Sequence, residues 1–334
     1  MSAGAEISVN NDTLSGQVVT VLGGSGFFGR HLAQELLSRG ARLRIASRRP
    51  RKAWRIRPLG NLGQVQFIAL DVTRATDLVA ALRGSDAVVN LVGAFSGDLD
   101  ALQGAGAGRI AAAAREAGAR AFVHVSAIGA DAGSQIAYAR TKGEGEQAVR
   151  EAFPEATILR PSILFGDDDN FVMRFGRLIS AFPVLPVFGP QAKLQPLFVD
   201  DAAEAVAQAL AIPAAQGKTY EIAGPEVITM LELNQRIAAA QCRKRTFVEL
   251  PDGVSGGIAA ATGWMPGAPI TADQWALLKD GNVASAKAEG LDSLGIAPRP
   301  LSLFLERWMV PLRKYGRFSE KRPGAAMPAP GPKF

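Results

Sequence analysis

A tyrosine and a lysine four residues apart could perform acid–base chemistry. Tyr138 and Lys142 lie in the segment IAYARTKGEGEQAV, and residues with this spacing share one face of a helix. A lysine ammonium beside a phenol favours the phenolate, and the phenol can then exchange a proton as a general acid or base. Ser126, in the preceding segment HVSAIGA, could hydrogen-bond a carbonyl oxygen. The three side chains predict a reductase-like site.

Three regularly spaced glycines precede this site and predict a phosphate-binding loop. Gly23, Gly26 and Gly29 form G-x-x-G-x-x-G directly after the apolar run VVTVL and open a helical segment. The first glycine permits a tight turn, the second lets a pyrophosphate approach the backbone, and the third lets the helix pack against the strand. The helix N-terminus attracts phosphate. We therefore predict dinucleotide binding; the alternative is a glycine turn kept for packing alone. The predicted loop contacts are Gly23, Ser25, Gly26, Phe27, Phe28 and Gly29.

The end of the second apolar run indicates which dinucleotide binds. Folds that favour NAD usually carry an acidic residue there, about 20 residues after the loop, to bind the ribose 2′-hydroxyl. This chain has no carboxylate at that place and instead has Ser47, Arg48 and Arg49. Because arginine binds phosphate in a bidentate manner, these residues favour NADP(H). The alternative is that the run RRPRKAWRIR is a basic docking patch, and Arg48, Arg55 and Arg57 could divide the phosphate-binding and docking roles.

Two further strand ends are in register with the glycine loop. Asp71 and Val72 follow the third apolar run, where the adenine rim would lie. Leu91, Val92 and Gly93 follow the fourth run, where small residues would let the cofactor pass. In isolation these are generic strand ends, but in register with the loop they are predicted cofactor contacts.

Six short apolar runs alternate with amphipathic or alanine-rich segments between residues 18 and 165. Such runs are typical of parallel strands buried on both faces, and the alternation predicts an α/β fold with a doubly wound, Rossmann-type sheet. We assign residues 17–165 to this dinucleotide-binding domain and 1–16 to an N-terminal extension. Residues 166–320 are predicted to form a smaller α/β substrate-like or docking region that partly returns to the Rossmann core. The Pro/Gly/Ala-rich residues 321–334 are predicted to be a disordered tail.

Composition excludes several classes of protein. The chain has 334 residues, 48% hydrophobic and 20% charged, which is typical of a soluble globular protein. Its single cysteine excludes an intramolecular disulfide, and its two histidines argue against a metal site. The net charge of +6 could attract phosphate, acidic partners or anionic lipid. No nucleic-acid partner is expected, because the chain has neither a recognised binding module nor a long basic stripe.

Several motifs resemble, in the same order, those of the short-chain dehydrogenase/reductase superfamily in its extended and atypical branches. They are GGSGFFG, the strand-end LDV, NLVG, VSAIGA with YARTK, RPSILFG and PLFVDDAAEAV. The resemblance implies that Ser126, Tyr138 and Lys142 match the family's catalytic triad. It also implies that Pro161 and Ser162 lie near the nicotinamide. The chain departs from the extended enzymes in the short interval between Ser126 and Tyr138.

A narrower resemblance covers nearly the whole chain. The stretches AYARTKGEGEQAVREAFPEATILRPSILFGDDDNF, ITADQWALLKDGNVAS and LDSLGIAPRPLSLFLERW are similar to the nucleotide-binding accessory subunit of respiratory complex I. This resemblance implies a tightly bound NADPH in a structural role without established turnover. It also implies other complex I subunits as partners, at the junction of the peripheral and membrane arms. Because the N-terminus lacks signal or transit features, we expect the cytoplasmic side of a bacterial inner membrane, or the matrix side if the protein is mitochondrial.

Other functional interpretations stay open at this point. The chain could be an NADP-dependent reductase or epimerase of small carbonyl or sugar-like substrates, with Tyr138 as the general acid, or a redox-sensing binding module. Residues 167–169, three aspartates, are interpreted as a solvated turn or docking face; the alternative is that they are catalytic carboxylates. The proline-rich stretch 182–190 could close a substrate pocket or meet a partner. The C-terminal segment SLFLERWMVPLRKYGRF suits anionic lipid at a membrane interface, a partner groove or the protein core.

Overall fold

The computed structural model describes residues 13–262 and 270–314. Its strands are β1 (Val18–Leu22), β2 (Arg42–Ser47), β3 (Val65–Ala69), β4 (Ala87–Asn90), β5 (Ala121–Val125), β6 (Thr157–Pro161), β7 (Leu164–Phe165), β8 (Val184–Val187), β9 (Lys193–Leu194), β10 (Leu197–Phe198), β11 (Thr219–Ile222), β12 (Ile228–Thr229) and β13 (Thr246–Glu249). Its α-helices are α1 (Phe27–Ser38), α2 (Ala75–Leu82), α3 (Leu99–Gln103), α4 (Ala105–Glu116), α5 (Ala137–Ala152), α6 (Val172–Ala181), α7 (Val199–Ala211), α8 (Met230–Ala240), α9 (Asp252–Thr262), α10 (Ala272–Asp280) and α11 (Ser302–Trp308). Single 3-10 segments cover Pro50–Leu59, Pro213–Ala215, Asp292–Leu294 and Val310–Leu312.

Seven parallel strands form the central sheet, in the order β11-β6-β5-β4-β1-β2-β3. The predicted α/β, doubly wound sheet is therefore confirmed, and its six predicted strands are β1 to β6. The chain runs outward in one direction from β1 through β2 and β3, and in the other from β4. Ligands of such sheets bind beyond the carboxyl ends of the strands, where the winding direction changes. The glycine loop lies there, directly after β1.

The apolar runs form strands because both faces of the sheet are covered. Successive strand residues point to opposite faces. Val21 accordingly packs in the cluster beneath α1 and α7, whereas Leu22 packs in the cluster beneath α2, α4 and α5. The same alternation separates Val89 from Val88 in β4. Burial on both faces leaves the strand ends as the places where polar groups can be presented.

The chain after residue 165 both completes the sheet and builds a third core cluster. β11 pairs with β6 at the sheet edge, and α7 packs against α1. The third cluster includes Phe165, Ile179 and Leu233 and lies beside α6 and α8. The domain boundary at residue 165 stays a prediction. Residues 1–12 and the predicted tail lie outside the described residues.

The C-terminal helix α11 packs into the core rather than presenting its aromatic side chains to the surface. Met309, just after α11, is fully buried in the third cluster. The ring of Phe304 stacks on Phe198 at a centroid distance of 4.1 Å and on Trp308 at 5.0 Å. Core packing is therefore the interpretation that fits these residues. No helix among residues 13–262 and 270–314 has both the length and the apolar character needed to cross a membrane.

An ion pair holds the segment before α11 against α7. The carboxylate of Asp201 is buried and accepts hydrogen bonds from the Arg299 backbone N–H at 2.7 Å and from its Nε at 2.6 Å. The Arg299 guanidinium also lies 4.6 Å from the centroid of the Phe198 ring. Asp201, in the first turn of α7, thus fastens the C-terminal region to the Rossmann half.

Candidate functional site

The three glycines of the loop have different geometric reasons to be glycine. Gly23 has a φ of +77°, and a Cβ there would lie 3.2 Å from the Leu91 carbonyl carbon. A Cβ on Gly29 would lie 2.4 Å from the backbone oxygen of Gly24, a distance that no side chain tolerates. At Gly26, the N-cap of α1, a Cβ would meet nothing closer than 3.7 Å. Because the protein itself does not crowd Gly26, its missing side chain leaves room for a ligand at the helix N-terminus.

Basic side chains lie at the end of β2, where the Ala46 carbonyl accepts the N–H of Gly23 from the glycine loop. Ser47 is buried, and its Oγ accepts a hydrogen bond from the backbone N–H of Arg49 at 3.1 Å. Arg48 and Arg49 are exposed. Hydrogen bonds from Thr73 hold the pKa of the Asp71 carboxyl below its usual value, with a smaller contribution from the Arg48 charge. The predicted groups Arg48 and Asp71 therefore share one edge of the site.

A buried glutamine, which sequence reasoning did not single out, ties the end of β4 to α5. The Oε1 of Gln103 accepts a hydrogen bond from the Ala94 N–H at 3.0 Å, and its Nε2 donates to the Thr141 hydroxyl at 2.9 Å. A Cβ on Gly93 would lie 3.2 Å from Nζ of Lys142. The predicted contact at Gly93 and the reductase-like lysine thus converge. Because the partners of Gln103 lie 9 and 38 residues away along the chain, no sequence pattern indicates these hydrogen bonds.

Ser126, Tyr138 and Lys142 converge at the carboxyl end of β5. Lys142 is 3% exposed, and its Nζ donates a hydrogen bond to the carbonyl oxygen of Val125 at 3.1 Å. Ser126 is 4% exposed, and its Oγ has no hydrogen-bond partner in the described part of the chain. The ring of Tyr138 stacks on Phe95 at 4.4 Å with an interplanar angle of 12°. The three predicted residues therefore share one site despite the short interval between Ser126 and Tyr138.

The electrostatics of this group differ from the sequence expectation. Burial lowers the pKa of Lys142 to about 8 and raises the pKa of Tyr138 to about 12. The expected lowering of the phenol pKa by the ammonium is wrong for this arrangement, because burial dominates and the ammonium is bonded to Val125. Tyr138 is thus protonated at neutral pH. It can donate a proton but is not a resident phenolate.

A buried neutral histidine supports the site from β5. His124 is fully buried, and its Nδ1 lies 3.1 Å from the Nδ2 of Asn90. The Oδ1 of Asn90 accepts from the Val92 N–H at 3.0 Å, which orients the amide so that its Nδ2 donates to the imidazole. Burial, with a smaller contribution from Lys142, lowers the pKa of His124 to about 3. His124 and Asn90 link the ends of β4 and β5, a role that sequence reasoning did not identify.

A cavity of about 1270 Å³ opens from this group of residues. Pro161 and Ser162 lie in its wall, as do residues 184–188 of the proline-rich stretch. The Ser162 hydroxyl donates to the Gln195 carbonyl at 2.6 Å and so is occupied by the protein. The proline-rich stretch, for which two roles were open, therefore lines a pocket. Much of the remaining wall is apolar, and α6, α8 and α10 contribute Phe175, Leu178, Met230, Leu277 and Leu278 to it.

The three aspartates at 167–169 do not act as one group. Asp169 is buried, and its carboxylate accepts backbone N–H bonds from Gly166, Phe171 and Met173 at 2.7–3.0 Å. Burial raises its pKa. The prediction of a solvated turn is therefore wrong for Asp169, which organises the start of α6.

The other two aspartates lie beside a histidine. Asp168 pairs with Arg30 and with His31, and His31 also lies 2.6 Å from a carboxylate oxygen of Asp200. Asp167 lies beside them: one carboxylate oxygen each of Asp167 and Asp168 and a ring nitrogen of His31 lie within 4.8 Å of one another. Because Arg30 already offsets the charge of Asp168, the geometry is explained by ion pairing.

Comparison with solved structures places the fold among reductases. The triphenylmethane reductase of a Citrobacter species complexed with NADP(H) has a TM-score of 0.71, with 19% identity over 87% of this chain and 99% of that one. The NADPH-dependent quinone oxidoreductase of Escherichia coli complexed with NADPH has the same TM-score, with 18% identity over 86% and 99%. The NAD(P)H-binding family profile matches residues 23–177, and that of the RmlD substrate binding domain matches 130–253. Fold and site together define a nicotinamide-nucleotide-binding protein of the short-chain dehydrogenase/reductase superfamily.

Sequence relatives narrow this class. NADH dehydrogenase (ubiquinone) 1 alpha subcomplex subunit 9 of Rattus norvegicus is 33% identical over 301 residues, covering 87% of this chain and 79% of the rat protein. The same subunit of Dictyostelium discoideum is 34% identical over 222 residues, of which 64% of this chain and 61% of that protein are covered. The chain therefore belongs to the family of this complex I accessory subunit. A more distant relative, ceramide reductase of Caulobacter vibrioides, is 29% identical over 70% of this chain and 74% of that protein.

Proposed function

We propose that the protein is an accessory subunit of NADH:quinone oxidoreductase that holds a tightly bound NADPH in a stabilising role. The observation that carries the proposal is the match to the mitochondrial subunit, which spans 87% of the chain. It therefore extends beyond the nucleotide-binding half into the region that the NAD(P)H-binding profile does not cover. Its partners are other complex I subunits, at the junction of the peripheral and membrane arms. It lies on the cytoplasmic side of a bacterial inner membrane, or on the matrix side in a mitochondrion.

The site residues fit a dinucleotide. The open backbone at Gly26 suits the pyrophosphate, while Tyr138 and Lys142 would hold the nicotinamide ribose and Ser126 would offer its free hydroxyl. A bound nucleotide would supply hydride-transfer chemistry, which a stabilising role does not use. A ligand at 1,000 times its dissociation constant adds about 4 kcal/mol to the free energy of unfolding. That gain is large relative to the 5–15 kcal/mol of a typical domain.

Selection of NADPH over NADH rests on the end of β2. Arg48 and Arg49 are exposed beside a strand end without a carboxylate, and a charge-assisted hydrogen bond contributes about 1.5–3 kcal/mol. Arg48→Asp should therefore weaken NADPH binding about 10- to 100-fold and leave NADH binding nearly unchanged. Arg42→Asp, which changes an exposed arginine at the opposite end of β2, is the matched control. Equal NADPH affinity in Arg48→Asp and the wild type would contradict the assignment.

Assembly tests the subunit role directly. Mild solubilisation of source membranes followed by native mass measurement should recover the protein with quinone-reducing complex I, and its nucleotide should remain bound through purification. Recovery of the protein only as a free monomer or dimer would refute the proposal. The exposed basic 3-10 segment, which carries the exposed ring of Trp54, supports contact with an acidic partner surface or with anionic lipid head groups.

A second candidate is an NADP-dependent reductase, because the reductase-like residues gather at the mouth of a large cavity. Protonated Tyr138 could donate its proton to a substrate carbonyl oxygen held by Ser126. The ceramide reductase relative supports this alternative. The apolar lining favours a carbonyl on an apolar substrate over a sugar, which needs many polar partners. Tyr138→Phe should abolish carbonyl-dependent oxidation of NADPH while assembly with complex I persists; a variant with wild-type turnover would exclude this chemistry.

A further inference from the structure

The cavity has two chemically different ends. At one end, the Ser126 hydroxyl is 4% exposed and unpartnered within the described residues, and it lies beside Tyr138 and Lys142. A buried hydroxyl without a partner costs free energy, so this end favours a ligand that brings a hydrogen-bonding oxygen. The volume of about 1270 Å³ exceeds the 300–1,000 Å³ of ordinary ligand sites. The cavity therefore extends well beyond what a nicotinamide end alone would fill.

Helix α6 has a broad apolar face, one side of which reaches the other end of this cavity. Val172 and Ile179 of this face are buried in the third core cluster. Four further apolar side chains recur at helical spacing and line the cavity, the last just beyond the helix end: Phe171, Phe175, Leu178 and Phe182. A surface helix normally has one apolar stripe and a polar opposite face. Phe171 and Phe175 also pack against the third core cluster, whereas Leu178 and Phe182 remain exposed, so the C-terminal end of this apolar face is left uncovered.

The opposite wall of this end is apolar as well. Leu277 and Leu278 of α10 face the cavity, together with Leu185 and Val187 of β8. The charged side chains that line this end do not enter its apolar part unpaired: Arg174 and Asp280 are exposed to solvent, and the Asp169 carboxylate is occupied by backbone N–H groups. Hydroxyl or phosphate groups lying against these four apolar side chains would lose hydrogen bonds without replacement. A hydrocarbon chain would lose none.

We infer that the cavity binds a long-chain lipid with one oxygen function, its hydrocarbon chain between α6 and α10 and its hydroxyl or carbonyl oxygen at Ser126 and Tyr138. The inference rests on the proposed function in one respect: the nicotinamide of the proposed NADPH would lie beside the oxygen of the lipid. The exposed apolar side chains of Leu178 and Phe182, 36% and 53% exposed, lie where the chain would enter. A bound chain would cover them.

Binding of a homologous series of straight-chain 2-alkanones to the full-length protein tests this inference. Transfer of one methylene contributes about 0.8 kcal/mol, so affinity should rise about fourfold per added carbon until the chain fills the cavity. Leu178→Lys should reduce the affinity for long alkanones at least tenfold. Leu303→Lys is the control, because Leu303 is 63% exposed on α11 and does not line the cavity.

The nucleotide is measured in the same samples, as NADPH released on denaturation. If the affinity for alkanones rises with their length and Leu178→Lys reduces it, the lipid site is supported, whether or not NADPH is found. If the protein is purified without NADPH, only the proposed cofactor role is refuted. Affinity independent of chain length, or equal in Leu178→Lys and the wild type, overturns the lipid site even when NADPH is bound. Tighter binding of a quinone ring without a tail than of any alkanone would also overturn it.

Discussion

Replacement of Lys142 by methionine should stabilise the apoprotein and weaken nucleotide binding. The ammonium is 3% exposed and has one protein hydrogen bond, to the Val125 carbonyl at 3.1 Å. Its pKa falls from 10.5 to about 8 on folding, and each pKa unit corresponds to 1.36 kcal/mol, so the folded state carries a cost of about 3 kcal/mol at pH 7. Methionine removes that cost and also removes the hydrogen bond, worth about 1 kcal/mol. We expect a net gain of about 2 kcal/mol in the free energy of unfolding.

The pH dependence of the free energy of unfolding tests the lowered pKa of Lys142 independently. Between about pH 8 and 10.5 the unfolded chain binds a proton at Lys142 that the folded chain does not. The free energy of unfolding of the wild type should therefore rise through this window by about 3 kcal/mol. Lys142→Met should lack this rise. With NADPH present the advantage of the variant should shrink by about 1.4–2.7 kcal/mol, because the variant loses a charge-assisted hydrogen bond to the ribose and binds about 10- to 100-fold more weakly.

Denaturant unfolding of the apoprotein and of the NADPH complex, at pH 7 and pH 10, measures both effects. Lys279→Met, which changes an exposed lysine on α10, is the matched control and should show neither. An apo Lys142→Met less stable than the wild type at pH 7 would refute the reasoning, since the ammonium would then stabilise the empty site. So would a wild-type stability that stays level between pH 8 and 10.5.

Two further predictions concern His124 and the glycine loop. His124→Gln should reduce the loss of stability between pH 7 and pH 5 by about 2 kcal/mol, because the wild-type histidine takes up a proton below pH 6.5 only when unfolded, down to its folded pKa of about 3; identical acid profiles by circular dichroism would contradict this. Gly29→Ala should destabilise the apoprotein by about 1–3 kcal/mol or more, since its Cβ would lie 2.4 Å from backbone. Gly26→Ala should leave apo stability intact but lower the thermal shift produced by NADPH; the reverse pattern would show that the two glycine roles are interchanged.

The sheet could be predicted from the sequence because a strand buried on both faces consists of consecutive, mostly apolar residues, as in β1 and β4. The glycine loop could also be predicted, because the regular spacing of its glycines directly after an apolar run is visible in the sequence itself. The supporting groups were not, because their partners belong to other strands: His124 finds Asn90 only when β4 and β5 pair. Asp169 seemed solvated in sequence because the residue types do not show that the backbone N–H groups of Gly166, Phe171 and Met173 turn toward its carboxylate.

The direction of the Tyr138 pKa shift shows the same limit. The four-residue spacing places the Lys142 backbone on the tyrosine's face of α5, but it does not say where a flexible ammonium ends. In the fold that ammonium reaches the end of β5, and the phenol responds mainly to its own burial. The spacing along α5 therefore predicted that Tyr138 and Lys142 belong to one site, but not the protonation state of the phenol.

The seventh strand has a consequence for how the chain is synthesised. β11 arrives more than fifty residues after β6, yet it supplies the outer hydrogen-bonding partner of that strand, and α7 covers apolar side chains of α1. A ribosome-bound chain that ends near residue 165 would expose a bare sheet edge and an uncovered helix face, both prone to self-association. The nucleotide-binding half thus depends on the C-terminal region to cover its sheet edge and the apolar face of α1. During synthesis, a chaperone would be needed until β11, which begins at Thr219, has emerged from the ribosome.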